Sequence, residues 1–315
     1  MNSFSTLFEI KTSNIKIEHS NSLLFIGSCF SDEISNKASF YGFDTTANLQ
    51  GTIFHPEVIA RNINDALNEG VKLPKRIVER GDLFFSWDTS GSIFGYSESE
   101  LQNKIDNSFS TLRASLRSAS VLFITFGTCW GYRLKASNLV VANCHKQPGV
   151  FFDKHLSDID SLESIWNKTI EGLNKVNPNL KVVFTVSPVR HIKDGLIENN
   201  QSKSILIELV RRLENTHGVE YFPSYEIVID ELRDYRFFKR DRVHPNDEAI
   251  DYVWGKFMDT YMNKSTVSIC TKIVKIKLSE HHRSLYDDSK EHILFKNKIT
   301  EEKNEFLKQY PGIKI

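Results

Sequence analysis

Leu23-Leu24-Phe25-Ile26-Gly27-Ser28-Cys29-Phe30 opens with four apolar residues and stops on a glycine and a serine. A short apolar run bounded by a turn signal reads as a strand buried on both faces. Ser31-Asp32-Glu33 can then open a helix. The same grammar recurs in Val121-Leu122-Phe123-Ile124-Thr125-Phe126, which ends at Gly127-Thr128, and in Lys181 to Val186, which ends at Ser187-Pro188. Between these runs lie helical patterns. Residues 55–69 carry Pro56 in a first turn. Residues 98–117 repeat Leu101, Ile105, Phe109, Leu112 and Leu116 at helical spacing. Further helices are expected near 160–176, 201–216 and 246–260.

Strands alternating with helices imply βαβ units and a parallel sheet. An extended stretch near Phe43 to Leu49 ends at Gly51, and a short strand is expected at Val219 to Phe222. Residues 81–97 read as short antiparallel strands or an inserted loop, and a hairpin is expected from Tyr132 to Ala142. The aromatics of 83–96 read as core before they read as a sugar platform or a lid. One domain is expected over 1–261. The charged tail, 262–315, is expected to be a helical extension packed on it.

Lys+Arg and Asp+Glu number 40 each in 315 residues. Zero net charge argues against a nucleic-acid binder and against a polybasic membrane anchor. The amino terminus lacks a basic region followed by an apolar stretch, and no apolar run reaches the ~20 residues needed to span a bilayer. Four cysteines are too few for a disulfide scaffold. The expectation is a cytoplasmic protein without nucleic-acid or membrane partners.

In an open α/β sheet, ligands collect beyond the carboxyl ends of the strands. Ser28, Gly51, Gly127-Thr128, Ser187 to His191, and Asp241 to His244 all follow expected strands. Asp241-x-x-His244 lets a carboxylate turn back onto an imidazole, and Pro245 suits the first position of a helix. The plain alternative is a capping aspartate beside an ordinary histidine. Ser28 on a tight turn could be a nucleophile or simply an N-cap. Cys29 could serve a thiol mechanism, but only one of two adjacent side chains can face a cleft. Cys29, Cys129, Cys144 and His145 lack a CxxC spacing, so no metal is expected. No cofactor is called for. Arg190 and His191 could hold an anionic group of a substrate.

Taken together these segments resemble the GSCFA domain family. The residues that carry the resemblance are GSCF (27–30), Phe126-Gly127-Thr128 with Trp130, VVANCHKQPGVFF (140–152), FTVSPVRHIKDG (184–195), NNQSK (199–203), YFPSYEIVIDELRDYRF (221–237) and DRVHP (241–245). The family is grouped with the SGNH (GDSL-like) hydrolases. That implies a three-layer α/β/α, flavodoxin-like fold. It also implies Ser28 as nucleophile, His244 as general base and acid, and Asp241 as its orienting carboxylate. The implied oxyanion donors are the Ser28 amide and Gly51. The superfamily's GxND block is replaced here by Gly127-Thr128-Cys129-Trp130, and Asn143 is the nearest substitute. The expected function is hydrolysis of an acyl ester, such as acetyl on a carbohydrate. The alternatives are an acyltransferase using the same serine and a non-catalytic carbohydrate- or ligand-binding module on the same fold.

Overall fold

The computed structural model describes residues 6–68, 75–282 and 289–315. The chain runs through β1 (Ser22–Gly27), α1 (Cys29–Phe40), β2 (Asp44–Ala47) and α2 (Pro56–Leu67). Then come β3 (Ile77–Arg80), β4 (Leu83–Ser86), β5 (Phe94–Gly95), α3 (Glu98–Ser118), β6 (Val121–Phe126), β7 (Trp130–Leu134) and β8 (Phe152–Leu156). The second half holds α4 (Ile159–Val176), β9 (Lys181–Val186), α5 (Leu196–His217), β10 (Glu220–Tyr221) and α6 (Ser224–Glu226). It ends in α7 (Asp247–Tyr261), α8 (Lys264–Glu280) and α9 (Lys290–Gln309).

Five strands form one parallel sheet in the order β10-β9-β6-β1-β2. Successive side chains point to opposite faces, so each apolar strand feeds two cores. Leu24, Ile26, Leu122, Ile124, Val182 and Phe184 pack with α2, α3, α4 and α5. Leu23, Phe25, Val121, Phe123 and Val183 pack with α1 and α7 on the other face. This is the three-layer α/β/α arrangement expected from the sequence. The strand order reverses between β1 and β6, the place where such sheets bind ligands.

Several boundaries differ from expectation for local reasons. The hairpin expected from Tyr132 to Ala142 is present, with Arg133 bridging Val140, the Val141 N–H donating to the Tyr132 carbonyl at 3.0 Å and the Leu134 N–H to the Leu139 carbonyl at 2.8 Å, and β7 pairs in addition with β8. Ala142, at the end of that hairpin, donates its N–H to the Trp87 carbonyl at 2.7 Å. Residues 77–95 form a separate antiparallel sheet, β3-β4-β5. Phe85 is buried there and stacks on His145 with ring centroids 4.7 Å apart. Helix α5 starts at Leu196 rather than 201, straight after Gly195 at φ 112°. The last turn of the 55–69 expectation reaches residue 69, outside the described residues.

Within the tail the described residues form the helices α8 and α9, as expected. Cys270 of α8 enters the α1/α7 core, Ile273 touches the position of Gly42, and Lys277 donates to the Phe40 carbonyl at 2.8 Å. Among the described residues no helix is long and apolar enough to cross a membrane.

Candidate active site at the carboxyl edge of the sheet

Gly27 ends β1 at φ 140°, with β6 pressed against it, and Ser28 follows as the N-cap of α1. The Ser28 side chain is buried, and its hydroxyl accepts a long 3.4 Å bond from the Phe30 N–H. The Ser28 N–H continues the β1–β6 ladder by donating to the Thr125 carbonyl at 3.1 Å. Gly51, at φ 73°, closes a turn by donating its N–H to the Asn48 carbonyl at 2.6 Å. Neither of the two backbone amides expected at an oxyanion site is therefore a spare donor in this conformation.

Asn48 sews the neighbouring loops together. Its Oδ1 accepts from the Gly27 N–H at 2.8 Å, and its Nδ2 donates to Asp32 at 2.7 Å. Thr52 also donates to Asp32, at 3.2 Å. Burial nonetheless raises the Asp32 pKa above the usual carboxylate range, against these two bonds. Burial, then Asp32 and Glu33, push the Cys29 thiol up as well. That is the opposite of what a reactive thiolate needs.

Asp241 and His244 are joined. Asp241 Oδ2 lies 2.7 Å from His244 Nδ1, and its Oδ1 accepts from the N–H groups of Val243 and His244 at 2.9 and 3.0 Å. These bonds, backbone first, lower the carboxyl to about 2. A carboxylate only accepts, so Nδ1 carries the proton and Nε2 is left as an acceptor. The turn needs Arg242 at φ 61°, an uncommon conformation for a side chain of its size. Helix α7 begins at Asp247 behind the N-cap Asn246, so Pro245 precedes the helix rather than opening it. The Asn246 side chain accepts from the Ala249 N–H at 3.0 Å.

The Asp241–His244 turn is braced from two sides. Lys239 forms an ion pair with Glu33 of α1 at 3.1 Å. The Arg190 guanidinium donates to the Arg242 carbonyl at 3.3 Å and lies 4.3 Å over Phe238 and 5.2 Å over Tyr235. Arg190 thus holds the turn with the group expected to hold an anion. Ser28 follows β1 and the Asp241–His244 turn is held by Arg190, which follows β9, but Ser28 and His244 share no hydrogen bond.

A cleft of about 610 Å³ is lined by Phe54, Thr128, Trp130, Tyr132, Asn143 and His191 among others, with Ser28, Asp241 and His244 outside its lining. Asn143 Oδ1 accepts from the His145 N–H at 2.7 Å, and its Nδ2 has no hydrogen-bond partner among the described residues. That Nδ2 lies near Gly91, next to Ser90 and Ser92, which crowd Gly51. The fold thus brings Asn143 and Gly51 to one neighbourhood. Among the described residues no group of three or more His, Cys, Asp and Glu is arranged to hold a metal ion.

The GSCFA family matches residues 22–257. The chain belongs to the GSCFA family. Among solved structures it resembles a carbohydrate esterase family 3 protein from Talaromyces cellulolyticus, with 9% identity over 80% of this chain and 98% of that chain, at a TM-score of 0.36. It also resembles an acetyl xylan esterase from the rumen bacterium Butyrivibrio proteoclasticus, with 12% identity over 78% of this chain and 64% of that one, at a TM-score of 0.38. A mutant acetyl esterase crystallised with acetate ion gives 10% identity, 80% and 99% coverage and a TM-score of 0.37. No curated protein matches the chain.

One group of residues in this GSCFA protein is quoted above only as part of NNQSK (199–203), with no role attached. Asn199, Ser202 and Lys203 occupy one buried face of α5. Asn199 accepts from the His191 N–H at 2.9 Å, and Ser202 accepts from the Cys129 N–H at 2.6 Å. Lys203 Nζ donates to the Gly127 and Ser187 carbonyls at 2.6 and 2.7 Å, tying the ends of β6 and β9. Burial lowers the Lys203 ammonium to about 7. The signal was present: positions 199, 202 and 203 head the apolar stripe Leu206, Leu209, Val210 and Leu213, and polar groups on such a stripe need partners.

Proposed function

We propose that the protein is an acyl-ester hydrolase working through Ser28, His244 and Asp241. The observation that supports this most directly is the Asp241–His244 pair at 2.7 Å, on the sheet edge where Ser28 caps α1. In the first half-reaction Ser28 Oγ attacks the acyl carbonyl carbon and gives its proton to His244 Nε2. The carbonyl π pair moves onto oxygen. Collapse expels the alcohol oxygen, which takes the proton from His244 and leaves acyl-Ser28. Water then attacks, with its proton passing to His244, and the second collapse returns that proton to Ser28. Asp241 orients the ring and stabilises its charged form. Catalytic hydrogen bonds are often long before substrate arrives, so the open Ser28–His244 gap is compatible with this role.

The cleft suits a small acyl group on a carbohydrate. Trp130, Tyr132 and Phe152 offer apolar faces, and Asn143, Gln147 and Asp194 offer hydrogen bonds. An acyltransferase differs only in the acceptor that resolves acyl-Ser28. The burial and engaged amide of Ser28 favour a second reading, a ligand-binding module without turnover.

The test is hydrolysis of p-nitrophenyl acetate, with fluorophosphonate labelling, by the wild type, Ser28→Ala and Cys29→Ala. Loss of both signals only in Ser28→Ala supports the hydrolase. Full activity in Ser28→Ala overturns it. Ligand binding without turnover or labelling favours the second reading.

A further inference from the structure

We propose that His191 completes the oxyanion site, donating a hydrogen bond from Nε2–H to the carbonyl oxygen that becomes negative when Ser28 attacks. This rests on the triad reading given above.

An oxyanion site needs donors already aimed at the developing charge. The Ser28 and Gly51 amides are engaged elsewhere, and the loop after β6 offers Thr128 and Cys129 where a side-chain amide would serve. His191 Nε2 is buried yet has no hydrogen-bond partner among the described residues. His19, His145 and His155 also leave one buried ring nitrogen unpartnered, but their other nitrogen is bonded, whereas neither ring nitrogen of His191 has a hydrogen-bond partner among the described residues. His191 lines the cleft together with Phe54, Thr128 and Asn143.

Its placement is fixed from three directions. Asn199 Oδ1 accepts the His191 backbone N–H at 2.9 Å. The Phe54 ring meets the imidazole edge-on, with centroids 5.5 Å apart. The adjoining Arg190 N–H reaches the Val243 carbonyl at 3.4 Å, within the Asp241–His244 turn. The loop that carries Phe54 is in turn tied to the nucleophile's turn, because Ile53 donates to the Gly27 carbonyl at 2.9 Å. His191 therefore sits between the serine loop and the histidine loop.

The charges around the ring keep it a donor without making it an acid. Burial lowers its pKa to about 4, helped by Lys203 from α5 and His244 from the loop before α7, and opposed by Asp194 on its own loop. A neutral imidazole donates a hydrogen bond to an oxyanion and gives up no proton, so the proton inventory of the triad is unchanged.

The experiment compares wild type, Ser28→Ala, His191→Ala and His191→Gln on p-nitrophenyl acetate, with the His191 ring followed by NMR from pH 3 to 8. The expected result is a loss of kcat on the order of 10²-fold in His191→Ala, with KM changed by less than about threefold. His191→Gln keeps a donor and recovers about tenfold of that loss. The ring resonances stay those of a neutral imidazole down to about pH 4. An unchanged kcat, a loss confined to KM, or a ring that titrates near the ordinary ~6.5 overturns the proposal while the triad stands. Should His191→Ala fail to fold, the His191→Gln kinetics and the wild-type titration decide. Full activity in Ser28→Ala, or neither turnover nor fluorophosphonate labelling in the wild type, overturns the triad and this proposal with it.

Discussion

A β-carbon on Gly27 would fall 2.1 Å from the Thr125 carbonyl oxygen. That contact is backbone, part of the parallel pairing of β1 with β6, so it cannot move aside as a flexible side chain could. The glycine also sits at φ 140°, a region that residues with a β-carbon rarely adopt. The closeness is what lets the Ser28 N–H reach the Thr125 carbonyl and sets the serine at the start of α1.

Replacing Gly27 by alanine therefore combines backbone strain with overpacking. Together these destabilise by roughly 3–5 kcal/mol. Urea denaturation of Gly27→Ala reads that loss directly, and a midpoint within error of the wild type removes the argument.

Asp241 holds its proton only below about pH 2, because backbone N–H groups and the His244 ring favour the carboxylate. A carboxyl with a depressed pKa contributes its stabilisation above its unfolded value, ~3.9, and loses it as pH falls toward 2. Above about pH 4 the residue is ionised, so the acid limb of a kcat/KM profile there does not come from Asp241. Asp241→Asn keeps the shape but can present its amide to Nδ1 and favour the wrong tautomer. Its kcat for p-nitrophenyl acetate is expected to fall by about 10²–10⁴-fold across pH 5–9. Activity within tenfold of wild type removes Asp241 from the mechanism.

Lys203 titrates near 7 because it is buried, with Cys129 and Cys29 acting weakly the other way. In the unfolded chain its amine keeps the proton to about pH 10.4. Between these limits the unfolded state binds more protons, so stability rises with pH. The slope from this residue reaches about 1.4 kcal/mol per unit. Lys203→Met is expected to flatten the rise between pH 7 and 9 in chemical denaturation. It also leaves the Gly127 and Ser187 carbonyls without their donor, at about 1–3 kcal/mol each. Parallel stability–pH curves for the two proteins contradict the assignment.

The Cys29 thiol is held protonated by burial and by Asp32 and Glu33. Iodoacetamide at pH 7 is expected to react with it more slowly than with free cysteine, and Cys29→Ala to retain ester hydrolysis. Rapid alkylation with loss of activity points instead to a thiol mechanism.

The strands β1, β6 and β9 were legible in the chain because each is buried on both faces and so carries a run of consecutive apolar residues. Edge strand β2 is Asp-Thr-Thr-Ala and shows little such pattern. The pairing of β7 with β8 was not legible, since partners as far apart as Leu134 and Phe152 depend on where the loop between them is drawn. Ser28 and the Asp241–His244 pair were legible as local motifs, because a tight turn and a three-residue spacing are properties of short segments.

The roles of Asn199, Ser202, Lys203 and Arg190 were of another kind. Their chemistry was visible, but the groups they bind belong to strand ends and loops that only the folded sheet brings over α5 and the Asp241–His244 turn. The same holds for the amides of Ser28 and Gly51, whose donors are spent on carbonyls the tertiary structure places beside them. The chain's own pattern sets which segments are buried and which turns are tight, since both follow from neighbours in sequence. Which polar groups remain free for chemistry is decided in three dimensions, because a hydrogen bond is satisfied by whatever lies within about 3 Å, however distant along the chain.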